Sequence, residues 1–482
     1  MEVVVIGAGI GGIFGALAFK HLGYEVFLLE AGDKIGGCAA SFRRNGAIYN
    51  VGATTIPGLK TNYPLERFLT LLHLQDRVRG SYELLDIVCE VSFEDGQRVR
   101  IFADIERTWE EFSQAFPVEG HRNFFSFVER TTKTLLTTPF EFSLNGGTIS
   151  PLKPLFKIQN LRFLPYLPLA KKKALSLLSA FYKKVPNELL EYFRAQTFIV
   201  GQVELEKANA LALTLGIGYN FTGIAYSKIG LGGLLETLAK GLTVNFNRPV
   251  KKIERLGEGY LIHVGDEKIF SKKVVISFPF LENLSVFDSE SQLCRYFSKF
   301  TSKLSPYSAF VVYGKIKKKA LANFTAKHHL IIGNRNKLEG TSGYLYLSVL
   351  EQENGEFATF TVSTHTPIKL WINLDEEGVK KLKAELERKI VKVISERFEI
   401  NESDLVEVFS ATPYTFKHYV NRVSLGGFST SVDTPFWSIP NNLTPFSGMY
   451  LACDHAFAGQ GFMGIALGCL NLYYGLNRKV KD

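Results

Sequence analysis

Gly7, Gly9 and Gly12 are followed, about 20 residues on, by Glu30. Glycines at this spacing bring a backbone against a diphosphate when they lie between an apolar strand and a helix. Gly7 permits a tight turn, Gly9 lets the backbone approach the pyrophosphate, and Gly12 lets helix and strand pack closely. The start of the following helix offers unpaired N–H groups and a partial positive charge to the phosphates. Glu30 stands where an acid accepts hydrogen bonds from an adenosine ribose. The chemistry these residues support is dinucleotide binding.

The elements that must hold them are legible around them. Val3-Val4-Val5-Ile6 is short, apolar and β-branched, which predicts a buried parallel strand. A helical stretch runs to His21, Gly23 breaks it, and Tyr24–Leu29 predicts a second strand that ends at Glu30. The run from Val3 to Phe19 is uncharged and mostly apolar, so a signal peptide and a membrane span are the rival readings. A signal peptide wants positive charge ahead of its apolar run, and only Glu2 stands there. A membrane helix wants about 18–20 apolar residues, and here Gly7, Gly9, Gly11, Gly12 and Gly15 interrupt the run.

Two further stretches narrow the dinucleotide. Gly36-Gly37, followed by Cys38, lets backbone run close to the same pyrophosphate from its other side, which a nicotinamide domain does not need. Near the far end, Met449–Ala452 predicts a short strand, Asp454 ends it, and Gly459-Gln460-Gly461 opens a helix at about Phe462. The residues from 455 to 477 lack Asp, Glu, Lys and Arg, but Gln460, Asn471, Asn477 and several glycines argue against a span.

With these pieces the sequence resembles the flavin-dependent phytoene desaturase, carotenoid isomerase and retinol saturase family, within the wider flavin amine oxidase superfamily. The resemblance rests on the glycine turn, Gly36-Gly37, the stretch Asn45–Thr54, the helix start Tyr226–Gly233, and the strand–Asp454–Gly459-Gln460-Gly461 element. Ala411–Thr415, Asn421-Arg422 and Gly426-Gly427 resemble the carotenoid isomerase branch. It implies an α/β fold: a Rossmann-like FAD-binding domain of the glutathione-reductase type, with an inserted mixed-sheet and helical substrate domain. The cofactor domain is then discontinuous, residues 1–75, 225–282 and 405–482, and residues 76–224 and 283–404 form the substrate-binding and membrane-associating domain. The resemblance also implies FAD held by Gly7, Gly9, Gly12, Glu30, Gly36, Gly37, Cys38, Gly52, Thr54, Val250, Asp454, Gln460 and Gly461. Asp454 would serve the ribityl or pyrophosphate region, and the Gly459–Gly461 backbone the pyrimidine edge. The chain departs from the family pattern at Cys38, where Arg is frequent, at Cys453, where Gly is frequent, and at Asn50, which replaces an acid. These departures weaken an assignment to the bacterial multi-step phytoene desaturases and leave the expected flavin contacts, mostly through backbone, in place.

Composition sets the outer bounds. A chain of 482 residues exceeds the size of a single core, so two domains are expected. The hydrophobic share of 46% and charged share of 21% exclude a disordered chain. The aromatic share of 13% suits large cores or the walls of an apolar tunnel. Cys38, Cys89, Cys294, Cys453 and Cys469 form no CxxC pair, which predicts neither a disulfide framework nor a metal site and favours a reducing compartment.

The net charge of +9 is local: Pro151–Asn187 holds eight Lys or Arg and no acid except beyond it, at Glu188. Large apolar residues alternate there with cations, and a helix is predicted over Leu169–Lys184. Lys171-Lys172-Lys173 and Lys183-Lys184 flank Leu175, Leu177, Leu178 and Phe181, the pattern of an interfacial segment on an anionic membrane. A solvated basic face over ordinary core is the bland alternative. No nucleic-acid motif accompanies the segment, so no nucleic-acid partner is expected. The expected location is cytoplasmic and peripheral to a membrane.

The function expected is that of an FAD-dependent oxidoreductase acting on a lipophilic polyene, by desaturation or by cis–trans isomerisation. Such chemistry belongs to the cofactor and needs no nucleophilic triad, and the sequence names no acid/base residue. Two alternatives stay open: a flavin amine oxidase or protoporphyrinogen oxidase-like enzyme, which an aromatic cage near Tyr414 or Tyr419 would favour, and a non-catalytic flavoprotein docked at a membrane. Leu382–Phe398 has helical apolar spacing, and Tyr344–Val349 and Phe357–Ser363 read as strands of a substrate sheet.

Overall fold

The computed structural model describes residues 2–138, 158–333, 337–352 and 355–481. Its first sheet is parallel and five-stranded, in the order Met449–Leu451, Val274–Ile276, Glu2–Ile6, Glu25–Leu29, Val244–Asn245. Alternation along the central strand explains why it reads as wholly apolar. Val3 and Val5 face a core shared with helices Ile10–His21 and Gly461–Lys481, while Val4 and Ile6 face the antiparallel sheet Val250–Leu256, Gly259–Val264, Glu267–Ser271. The edge strand Val244–Asn245 is only two residues long. Asn247 turns left-handed at φ 54°, Pro249 has no N–H to donate, and Val250 begins the antiparallel sheet instead.

The second large sheet has seven strands, in the order Leu405–Ala411, Tyr307–Lys317, Phe357–Pro367, Leu345–Glu351, His328–Ile331, Ile87–Ser92, Arg98–Phe102. All neighbours are antiparallel except His328–Ile331 with Ile87–Ser92. The two strands predicted for the substrate side are therefore its centre. Leu405–Ala411, grouped by sequence with the cofactor portion, lies in this sheet because it completes the free edge of the eleven-residue strand Tyr307–Lys317. Helix Glu376–Phe398 covers one face with Leu386, Ile390, Ile394 and Phe398 buried at four-residue spacing, and Asp375 caps its start by accepting from the Gly378 N–H at 2.8 Å. An aromatic-rich core under helices His121–Thr137, Asn187–Gly201 and Ala210–Gly218 covers part of the other.

The basic segment differs from its predicted helix. Ile158–Ala170 is a 3₁₀ run holding Pro165 and Pro168, and the α-helix spans only Ala174–Leu178. Proline removes donors from a continuous helix, and Lys173 is extended. Leu177 and Leu178 are buried in the protein core and Phe181 is partly buried, so of the predicted apolar set only Leu175 is exposed; Leu161 and Leu164 are exposed as well, as are Lys171, Lys172 and Lys173. Residues 151–157, with Lys153 and Lys157, lie outside the described residues. Among the described residues no helix is long and apolar enough to cross a membrane.

Candidate active site

A cavity of about 1710 Å³ is bounded at one side by the carboxyl ends of the parallel strands and at the other by the inner face of the seven-stranded sheet. Ligands bind at such strand ends in open parallel sheets.

The glycine turn forms its first wall. The Gly7 N–H donates to Leu29 O at 2.7 Å, and the Gly36 N–H to Ala8 O at 2.8 Å, which sets Gly36-Gly37 beside Gly9. Gly7 and Gly36 hold φ of 97° and 110°, a region closed to most side chains. A Cβ on Gly12 would stand 1.7 Å from Gly7 O, whereas one on Gly9 would meet nothing nearer than Gly36 O at 4.0 Å. Gly12 is therefore the packing glycine beneath the turn, and Gly9 presents open space to the cavity. Glu30 knits the turn to the second strand: its Oε2 accepts from the Ala8 N–H at 2.7 Å and its Oε1 from the Gly32 N–H at 2.8 Å. Each oxygen retains a second lone pair. The Arg248 N–H donates to Glu30 O, which brings the following Val250 to the same end of the cavity.

The carboxy-terminal element reaches this cavity too. A Cβ on Gly11 would lie 1.6 Å from Ala452 O, so the last parallel strand packs directly on the opening helix. Asp454, Gln460 and Gly461 line the cavity with Gly36, Gly37, Cys38, Gly52 and Thr54. Gly459 and Gly461 hold φ of 95° and 74°, and a Cβ on either would meet no atom within 4 Å. Both ends of the chain thus offer bare glycine backbone and a helix start to one space. Gln460 also serves as a brace that its sequence position does not announce. Its Nε2 donates to Ile199 O and Val200 O, 3.0 Å each, and so ties the helix start to Asn187–Gly201. Asn50, in place of an acid, accepts from the Leu231 N–H at 2.9 Å and caps helix Gly230–Ala239.

This donor set fits FAD. Open glycine faces, two helix starts and the Glu30 carboxylate line one cavity larger than the roughly 300–1,000 Å³ that a single ligand usually occupies. Among the described residues no group of three or more His, Cys, Asp or Glu could hold a metal ion.

A polar cluster that the sequence did not reveal lies against Cys38. The Arg422 Nη2 donates to Asp454 Oδ2 at 2.8 Å and its Nε to Ser424 O at 2.9 Å. The Glu282 Oε2 accepts from the Val423 and Ser424 N–H groups at 2.7 and 3.0 Å. Burial is the largest single influence on the Asp454 carboxyl and pushes it upward, but the charge and hydrogen bond of Arg422 together with His455 and a backbone N–H hold the group below its ordinary value. Burial dominates for Glu282 and for the Cys38 thiol, both raised although Arg422 draws each down. Burial likewise keeps His455 neutral, at about 4. Asn421-Arg422 stood out in sequence by resemblance alone, with nothing to assign the guanidinium a place.

Across the cavity, Thr54 joins the cofactor wall to the substrate sheet. Ser348 Oγ donates to Thr54 Oγ1 at 2.8 Å, and His328 Nδ1 lies 2.7 Å from Ser348 Oγ. Because the Ser348 proton is committed to Thr54, the histidine must donate from Nδ1, which leaves Nε2 as the unprotonated nitrogen. Burial lowers His328 to about 3 and His365 to about 4, so these two imidazoles in the cavity wall are neutral at pH 7. Tyr414 and Tyr419 make no cage: Tyr419 is 77% exposed, and the Tyr414 hydroxyl donates to Trp371 O.

The profile of the family described as flavin containing amine oxidoreductase matches residues 10–467. The chain belongs to that family. It is 23% identical to the chloroplastic prolycopene isomerase of Daucus carota, over 96% of this chain and 78% of that protein. It is 27% identical to the 4,4'-diapolycopen-4-al dehydrogenase of Metabacillus indicus, over 54% of this chain and 51% of that protein. A putrescine oxidase triple mutant has a similar structure, with a TM-score of 0.68 at 13% identity, covering 100% of this chain and 99% of that one. This member of the family is thus an FAD-dependent oxidoreductase with a Rossmann-like cofactor fold and a second large sheet.

Proposed function

We propose that this flavoenzyme acts on a long apolar polyene, as a desaturase or a cis–trans isomerase. The observation that carries the reading is the cavity. It continues from the glycine cradle onto the inner face of the seven-stranded sheet, where aromatic and aliphatic side chains are mixed with neutral histidines and hydroxyls, and its volume leaves room for a long ligand beside FAD. The relatives named for prolycopene and diapolycopenal support the same substrate class. In this reading residues 1–75, 225–282 and 412–482 carry the cofactor, and the remainder surrounds the polyene. Gly7, Gly9, Gly36, Gly37, Cys38, Gly52, Gly459 and Gly461 meet FAD through backbone, Glu30 meets the ribose, and Val250 the adenine. Bound FAD supplies a two-electron acceptor at the junction of the two regions. Thr54 holds that junction through Ser348, and the apolar wall excludes water from the polyene.

Purified protein is expected to be yellow, and anaerobic incubation with cis and trans carotenes should separate the two chemistries. Flavin bleaching together with a lengthened polyene chromophore reports desaturation, whereas a shifted polyene spectrum at unchanged flavin oxidation state reports isomerisation. A flavin-loaded enzyme that alters no carotene but oxidises amines would replace this reading with the amine oxidase one.

We also place the enzyme at an anionic membrane surface, from which an insoluble substrate would enter. Exposed Leu161, Leu164 and Leu175 beside Lys171, Lys172 and Lys173 support this. Each lysine near an anionic surface contributes about 1 kcal/mol, so changing all three to Glu should lower binding to phosphatidylserine vesicles by two orders of magnitude or more. Equal sedimentation of wild type and variant with such vesicles would remove the membrane assignment and leave flavin binding untouched.

A further inference from the structure

We propose that Arg422 is a ligand of the FAD diphosphate, delivered across the cavity to the place beside Cys38. This inference rests on the assignment of FAD to the cavity. Lys34, Arg43, Arg44, Arg248, Lys251 and Lys383 also line the cavity, and all are at least partly exposed. Among the described residues Arg422 is the one buried Lys or Arg in its wall, 9% exposed.

Its position follows from two chains of contact to the opening helix. On one side Arg422 is bonded to Asp454, two residues past Ala452, whose carbonyl packs on Gly11. On the other it adjoins Cys38, next to Gly37, whose Cβ direction meets Gly9 Cα at 3.7 Å. Both routes end in the first turn of helix Ile10–His21, where the open Gly9 face and the free N–H groups lie. A diphosphate seated on that turn is flanked by the guanidinium.

The guanidinium is also fixed in advance. Asp454 takes Nη2 and Ser424 O takes Nε, while Nη1 donates to no oxygen or nitrogen among the described residues. A planar cation held at two corners beside the Cys38 thiol, with N–H groups beyond those two bonds, offers a directed donor at little ordering cost. Glu282 braces the same turn by accepting from Val423 and Ser424. Asp454, placed by resemblance near the ribityl or pyrophosphate region, then acts by aiming Arg422.

The test uses the full chain stripped of flavin and titrated with ADP, which carries the diphosphate without isoalloxazine, and with riboflavin, which carries isoalloxazine without phosphate. Arg422→Gln should weaken ADP about 10- to 100-fold, the range of a lost charge-assisted contact, and riboflavin less than about threefold. Arg422→Lys keeps the charge but not the fork and should fall between the two for ADP. General damage to the site weakens both ligands alike. Unchanged ADP affinity, or equal losses for ADP and riboflavin in both variants, would overturn the assignment. Wild-type chain that binds neither FAD nor ADP would instead remove the cofactor reading on which it rests.

Discussion

Gly12→Ala is expected to destroy the cofactor half of the molecule, whereas Gly9→Val should leave it folded and empty. The two glycines belong to one motif and stand three residues apart, yet their surroundings are opposite. The methyl carbon of an alanine at 12 would lie 1.7 Å from Gly7 O, with Ser277 Oγ at 3.1 Å. Gly7 cannot yield, because its own N–H is bonded to Leu29 O and its φ of 97° already sits where few residues go. The helix must therefore lift off the central strand, exposing Val3, Val5 and their neighbours, at a cost of about 4 kcal/mol or more. At Gly9 the backbone is extended, with φ −70° and ψ −174°, so valine is tolerated there. Its branches enter the open space over the turn and exclude a diphosphate. Urea denaturation of the flavin-free proteins checks the pair, because bound FAD would itself raise the midpoint. The expected result is a midpoint near wild type for Gly9→Val, with no FAD retained, and a much lower midpoint or insoluble protein for Gly12→Ala. A Gly12→Ala protein as stable as wild type would contradict the packing role assigned to that residue.

What could be read from the sequence follows from the range of the interactions involved. The strand Glu2–Ile6, its turn, the helix and Glu30 are determined by neighbours within about 30 residues, the size of one strand–helix–strand unit. Periodicity also locates Phe357–Pro367 and the outer helix, because an alternating or four-residue apolar pattern needs no knowledge of partners. The 3₁₀ path of Ile158–Ala170 is masked in the sequence because cations between apolar residues mimic an amphipathic helix, and the two prolines prevail over that pattern. The tertiary contacts of Arg422, Gln460 and His328 are out of reach for a different reason. They depend on Asp454, Ile199 and Ser348, which lie 32, 261 and 20 residues away. Nothing local marks such a pair. Cys38 gives the one usable hint: a position where a cation is frequent lacks one, and a cation from elsewhere adjoins it.

The second large effect is expected at Phe14, where the two ends of the chain are locked together. Its ring stacks on Phe68 with centroids 4.6 Å apart and planes 15° apart, and tilts against Phe462 at 6.2 Å. Phe68 belongs to helix Pro64–Leu71, and Phe462 lies one residue past Gly461. Phe14 is wholly buried, so Phe14→Ala removes a large side chain from a site with little freedom to collapse, at a cost of about 3–5 kcal/mol. The functional consequence should exceed that of an ordinary core deletion. In the proposed reading the opening helix presents the phosphate cradle and the carboxy-terminal helix presents Gly459–Gly461, so their relative position sets the distance between the two ends of the cofactor site. Slack between the helices lets bound FAD satisfy one end or the other, and its affinity should fall together with stability. Trp371→Phe provides the comparison, since Trp371 is also fully buried but packs under helix Glu376–Phe398, remote from the glycine cradle. Denaturation midpoints and FAD titrations on both variants should separate the two cases: Phe14→Ala loses stability and flavin affinity, and Trp371→Phe loses stability alone. If Phe14→Ala retains wild-type FAD affinity at temperatures well below its melting point, the helix pair is not what spaces the two ends of the site, and Gln460's bonds to Ile199 and Val200 become the alternative brace.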